Sequence, residues 1–72
     1  MAETLRNRLK ERRAELGLTQ ADLAEACQVS RKTVNTVENG IFVPSALLAL
    51  KMARALELAP GDLFWIEEGP AG

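Results

Sequence analysis

Between Leu18 and Gly40 the chain reads LTQADLAEACQVSRKTVNTVENG, a run that fits two short helices joined by a tight turn. Thr19 followed three residues later by Asp22 has capping-box spacing, with Asp a shorter substitute for the usual Glu or Gln. Leu23, Ala24 and Cys27 then form one small apolar stripe at helical spacing. Ser30 can cap a second helix, in which Val34 and Val37 face inward together. Asn39-Gly40 is a stop, because both residues tolerate the left-handed backbone that ends helices.

The second helix breaks a local rule. Arg31 and Lys32 occupy its first turn, where the helix dipole is positive and each cation costs roughly 0.3–1 kcal/mol. Two solvated surface cations are one explanation. The other is that they are held out toward an external anion, with phosphate and guanine edges as the natural candidates.

Taken together, Leu16-Gly17-Leu18-Thr19-Gln20, Leu23-Ala24, Val29-Ser30-Arg31, Thr33-Val34 and Val37-Glu38-Asn39-Gly40 resemble the phage repressor and Cro-like (XRE) helix-turn-helix family. The likeness continues through Pro44-Ser45, Ala53-Arg54-Ala55-Leu56 and Leu63-Phe64, so it covers roughly residues 5 to 64. It implies an all-α, five-helix repressor-like bundle, as in λ-repressor-like DNA-binding domains. It also implies a second motif helix, about residues 31 to 39, that enters the major groove N-terminus first. Carried over position by position, Arg31, Lys32, Asn35 and Thr36 would face base edges. Arg and Lys suit guanine O6/N7, and Asn suits adenine. Gln20, Ser30 and the backbone amides at Asn39 and Gly40 would meet phosphates. Arg12 is a further phosphate candidate beside Arg6, and sequence does not choose between them. The resemblance also pairs Arg13 with Glu38.

Three positions depart from the family pattern. Gln28 stands in the turn where Gly is usual, at about 1 kcal/mol if the backbone there is left-handed. Glu57 replaces the Gly common at the end of the fourth helix, which predicts a less sharp stop. Ile41-Phe42-Val43 stands where relatives often place a Lys or Arg, so fewer phosphate contacts and a shallower salt dependence follow. Those three apolar residues either fold back as core or meet a partner subunit.

Seventy-two residues make one small domain, expected over residues 1–68 with a disordered tail at 69–72. A chain of this length buries only about 60% of its unfolded surface, so a second copy would help stability. The net charge of −1 is unevenly spread. Met1–Thr36 carries seven Lys/Arg against five Asp/Glu, and Val37–Gly72 two against five. That asymmetry supports nucleic-acid binding only weakly. No stretch approaches the ~20 apolar residues of a membrane span and no signal peptide is visible, so a cytoplasmic protein is expected. With no His and a single Cys, neither a metal site nor a cofactor is expected. Cys27 reads as a small buried hydrophobe. Nothing in the chain equips an enzyme: no nucleophile–base pair, no Gly-rich phosphate loop, no paired carboxylates in a pocket.

Outside the motif, Leu5, Leu9 and Leu16 predict a first helix from Thr4 to about Leu16. Ser45 caps a fourth helix with two apolar stripes: Ala46, Ala49, Leu50, Ala53 and Leu56, and Leu48, Met52 and Ala55. One stripe suffices for a small core, which leaves the other for a second molecule. Ala59-Pro60-Gly61-Asp62-Leu63-Phe64 opens a last short helix, followed by Trp65 and Ile66. Five or six base and phosphate contacts give little specificity, so a homodimer reading a palindromic operator with half-sites about 34 Å apart is expected. Its interface is assigned to Phe42, Val43, Leu48, Met52, Phe64, Trp65 and Ile66. The function expected is a sequence-specific duplex-DNA-binding regulator, a repressor by analogy. The competing expectation is a protein-interaction module, such as an antitoxin or adaptor.

Overall fold

In a computed structural model, which describes residues 3–69, the order of elements is β1 (Glu3–Asn7), α1 (Leu9–Leu16), α2 (Gln20–Cys27), α3 (Arg31–Glu38), α4 (Ala46–Ala55), α5 (Pro60–Leu63) and β2 (Phe64–Glu68). Each helix starts or stops on a residue suited to that task. Thr19 and Asp22 close a full capping box on α2, with Asp22 N–H donating to Thr19 Oγ1 at 3.0 Å and Thr19 N–H to Asp22 Oδ2 at 2.9 Å. Ser30 and Ser45 cap α3 and α4, accepting from the Thr33 and Leu48 amides. Gly17 (φ 70°) and Gly40 (φ 73°) take the left-handed turns that end α1 and follow α3. Pro60 opens α5, where its missing N–H costs nothing.

The five helices expected from the sequence are present, but the architecture is not purely all-α. β1 and β2 form a two-stranded antiparallel sheet with Leu5 opposite Ile66 and Arg6 opposite Trp65. The first helix therefore begins at Leu9 and not at Thr4. Asn7 makes the break: its Oδ1 accepts the Leu9 amide at 3.0 Å, and its Nδ2 donates to the Val37 carbonyl at 3.0 Å. The Arg8 amide donates to the Leu63 carbonyl at 3.1 Å, fixing the junction of strand and helix to α5.

The core is one cluster drawn from all five helices: Leu9, Leu23, Ala24, Cys27, Val34, Val37, Leu48, Met52, Ala53, Leu56 and Leu63. Leu9, Leu23, Met52, Leu56 and Leu63 are fully enclosed, so truncating any one of them to Ala removes about 2–5 kcal/mol. This corrects the assignment of α4. Leu48 and Met52 point into the core of their own subunit, with Met52 at 0% exposure, and so cannot form a subunit interface. Their stripe packs on α2, while Leu47 and Leu50 lie on the outer face of the helix.

Gln28 does take the left-handed conformation, at φ 59° and ψ 41°, and the turn survives without glycine. Glu57 does the same at φ 58°. The end of α4 is consequently sharp, contrary to expectation, and is closed by the Leu58 amide on the Ala53 carbonyl at 3.0 Å. The tail expected to be disordered lies, apart from Gly69, outside the described residues.

Candidate nucleic-acid interface

α3 buries Val34 and Val37 and thereby turns Arg31, Lys32 and Asn35 to solvent. Thr33 and Thr36 lie half-buried on one flank, and Glu38 faces the other. Ser30 and Thr33 share a hydroxyl contact at 2.9 Å, and Thr36 Oγ1 donates to the Thr33 carbonyl at 2.9 Å. Three ion pairs occur among the described residues, Arg6–Glu67, Arg12–Glu15 and Arg13–Glu38, and none involves Arg31 or Lys32. Both cations thus stand exposed at the positive end of α3 with no carboxylate neutralising them. Such an arrangement is chemically suited to an external anion or acceptor.

Glu38 is the only acid in α3, and Arg13 consumes it from the side away from solvent. Arg13 Nε and Nη2 donate to the two carboxylate oxygens, while Nη1 donates to the Leu18 carbonyl at 2.9 Å. The side chains are 13% and 4% exposed. The hydrogen bonds to Glu38 raise the Arg13 pKa further, against the opposing effect of burial. Gln20 Nε2 joins the group, donating to Glu38 Oε1 at 3.1 Å. One carboxylate therefore ties α1, α2 and α3 together, and leaves Gln20 at the start of α2, lining an open groove with Thr19, Ala21 and Arg31.

Three of the expected phosphate contacts, Asn39, Gly40 and Arg12, do not fit the geometry. The Asn39 and Gly40 amides already donate to the Asn35 and Val37 carbonyls, each at 3.1 Å, and Asn39 Nδ2 donates to Asn35 O at 2.9 Å. The amide protons at this corner are spent on ending the helix. Arg12 is also committed elsewhere: its Nε donates to the Leu56 carbonyl at 2.8 Å and its Nη1 meets Glu15 at 3.2 Å. It caps the negative end of α4.

Of the residues assigned to a subunit interface, Val43 and Ile66 are largely exposed, Phe42 and Trp65 are about half exposed, and Phe64 leans on the core. The Arg8 guanidinium lies 5.7 Å from the centre of the Trp65 ring. Ile41, Phe42 and Val43 do not fold back into the core. The Ile41 and Phe42 amides both donate to the Thr36 carbonyl, at 2.9 and 3.2 Å, so the turn is fastened beside α3. Sequence reasoning did not place these residues next to the exposed face of α3. Their position directly after the Asn-Gly stop was the available signal.

No helix of the described residues is long and apolar enough to cross a membrane. Among those residues no three His, Cys, Asp or Glu side chains gather as metal ligands. Burial pushes the Cys27 thiol pKa up, partly countered by Lys51 and Arg54, which keeps it a neutral core residue.

A family model described as helix-turn-helix matches residues 9–63. The HTH-type transcriptional regulator YgzD of Bacillus subtilis is 45% identical over 64 residues, which span 89% of this chain and 97% of that protein. An HTH-type transcriptional regulator of Methanothermobacter thermautotrophicus is 48% identical over 68 residues, 93% and 99% of the two chains. Among solved structures, the restriction-modification controller protein C.AhdI of Aeromonas hydrophila superimposes with a TM-score of 0.74 at 39% identity, covering 78% of this chain and 85% of that one. The capped α2–α3 pair of this protein, the cations held out on its α3 and these likenesses agree: the chain belongs to the XRE-type helix-turn-helix family of DNA-binding transcriptional regulators, which are not enzymes.

Proposed function

We propose that this protein reads a palindromic operator in duplex DNA as a cytoplasmic homodimer, with α3 in the major groove, and acts as a repressor. The observation that carries this is the exposed trio Arg31, Lys32 and Asn35 on one side of α3, free of carboxylates because Glu38 is engaged by Arg13. Arg31 and Lys32 supply donors for guanine, and Asn35, one turn on, suits adenine. Gln20 at the start of α2 and Ser30 at the start of α3 supply the flanking phosphate contacts, and Thr36 supports the base-facing side. The subunit contact is assigned to Phe42, Val43, Phe64, Trp65 and Ile66. The shallow groove that Leu5, Phe42, Val43 and Pro44 line between β1 and the α3–α4 loop supports that choice.

The test is selection of bound duplexes from a random pool at near-physiological salt. The expected product is an enriched palindrome whose half-site centres lie about one helical turn, ~34 Å, apart. Enrichment that fades to nothing as salt rises would indicate phosphate attraction alone. A second reading, a protein-interaction module, is favoured by the exposure of Ile41, Val43 and Ile66. Stable co-purification with an unrelated protein, without motif enrichment, would select it.

A further inference from the structure

We propose that Ile41 is a base-reading residue whose side chain receives the C5-methyl group of a thymine in each half-site. The inference rests on the DNA-binding reading above. Ile41 is 76% exposed, more than any other large apolar side chain described. It is also held in place: its amide and that of Phe42 both donate to the Thr36 carbonyl in α3. A β-branched side chain on an anchored backbone has few rotamers to lose when it makes a contact.

What surrounds it identifies the ligand. Ile41 and Phe42 form an apolar wall facing Ser30, Lys32, Thr33 and Thr36 across a shallow groove on the flank of α3. The hydroxyl proton of Thr36 is spent on the Thr33 carbonyl, and Ser30 and Thr33 hydrogen-bond to each other. One of the two hydroxyl protons of Ser30 and Thr33 is therefore spent between them, and Lys32 is the one cationic donor on this flank. A cation beside an apolar wall matches a purine acceptor next to a thymine methyl, an arrangement that only the major groove presents. A phosphate would gain nothing from Ile41.

The experiment starts from the selected operator and replaces each thymine singly with deoxyuridine, which removes the methyl and nothing else. Affinity is measured by fluorescence anisotropy for the unaltered protein and for Ile41→Ala, whose exposed position leaves the core intact. At one thymine per half-site, uracil should weaken the unaltered protein about fourfold, the worth of one buried methyl. The same replacement should leave Ile41→Ala unchanged, and other thymines should behave alike in both proteins. Identical uracil profiles, or a half-site lacking thymine, overturn the proposal. So does sedimentation in which Ile41→Ala is monomeric where the unaltered protein is dimeric, because Ile41 then belongs to a subunit contact. If no motif is enriched at all, the DNA-binding reading itself fails and takes this one with it.

Discussion

Arg13 and Glu38, 25 residues apart, face each other as a two-pronged pair, Nε on Oε2 and Nη2 on Oε1, and Gln20 shares one of the carboxylate oxygens. Because the pair is nearly closed to water, its members depend on each other more strongly than surface partners do. Glu38→Ala should cost about 3–5 kcal/mol in urea unfolding, since it strands the Arg13 charge. Replacing both residues with apolar ones of similar volume should cost much less. A loss below about 1 kcal/mol for Glu38→Ala would reduce the pair to a surface ornament.

The capping box gives α2 a pH dependence of known sign. The Thr19 backbone N–H, aided by its hydroxyl, holds the Asp22 carboxyl below its ordinary value. A depressed folded pKa contributes stability above the unfolded value of about 3.9, and that contribution disappears as pH falls through the folded value. Asp22→Asn should therefore lower the melting temperature at pH 7, and the gap from the unaltered protein should close as pH falls below the unfolded value and through the depressed folded one. A gap independent of pH would show that the charge plays no part.

Gln28 and Glu57 hold left-handed backbone that glycine adopts without strain. Gln28→Gly and Glu57→Gly should each stabilise by about 1 kcal/mol, once the greater freedom of glycine in the unfolded chain is deducted. In a domain of this size that is about 4–8 °C in melting temperature. For Glu57 the removal of a carboxylate from the negative end of α4 adds to the gain. A fall in melting temperature would mean that these side chains make contacts worth more than the strain.

Two arginines separate binding from folding. Arg31→Ala should cost roughly 1–3 kcal/mol on the operator and relax one base position, while leaving stability nearly unchanged. Equal losses on operator and random DNA would remove its base-reading role.

Arg12→Ala should do the reverse. Losing its bond to the Leu56 carbonyl should cost about 1–2 kcal/mol of stability. The salt dependence of DNA binding should stay the same, because no phosphate contact is lost. A shallower salt slope would return Arg12 to the DNA-contacting set.

How far the chain is legible from sequence depends on how local each decision is. Thr19, Ser30, Asn39-Gly40, Ser45 and Pro60 mark element ends by interactions with residues three or four positions away, and such signals stand in the sequence itself. β1 could not be read in this way. Leu5 and Leu9 are four apart, which fits a helix, while the strand that pairs with Leu5 lies around Ile66, far along the chain. The misassignment of Leu48 and Met52 has a related cause. Periodicity shows that α4 carries two apolar faces, but which one meets α2 is a tertiary decision. At the site, the exposed residues of α3 follow from the buried Val34 and Val37. The spent amides at Asn39 and Gly40 and the commitment of Arg12 to α4 needed coordinates.

The sheet has a consequence for the order of assembly. Every β1–β2 pair joins residues roughly sixty positions apart, from Asn7 with Phe64 to Glu3 with Glu68. Such pairing carries the largest loop-closure cost in the molecule and is repaid only after the helices have shortened the distance. On a growing chain, Glu3–Asn7 is made first and finds its partner last. The sheet is thus the clasp of the fold, and the two ends should fray together, which coincident hydrogen exchange at Leu5 and Ile66 would register.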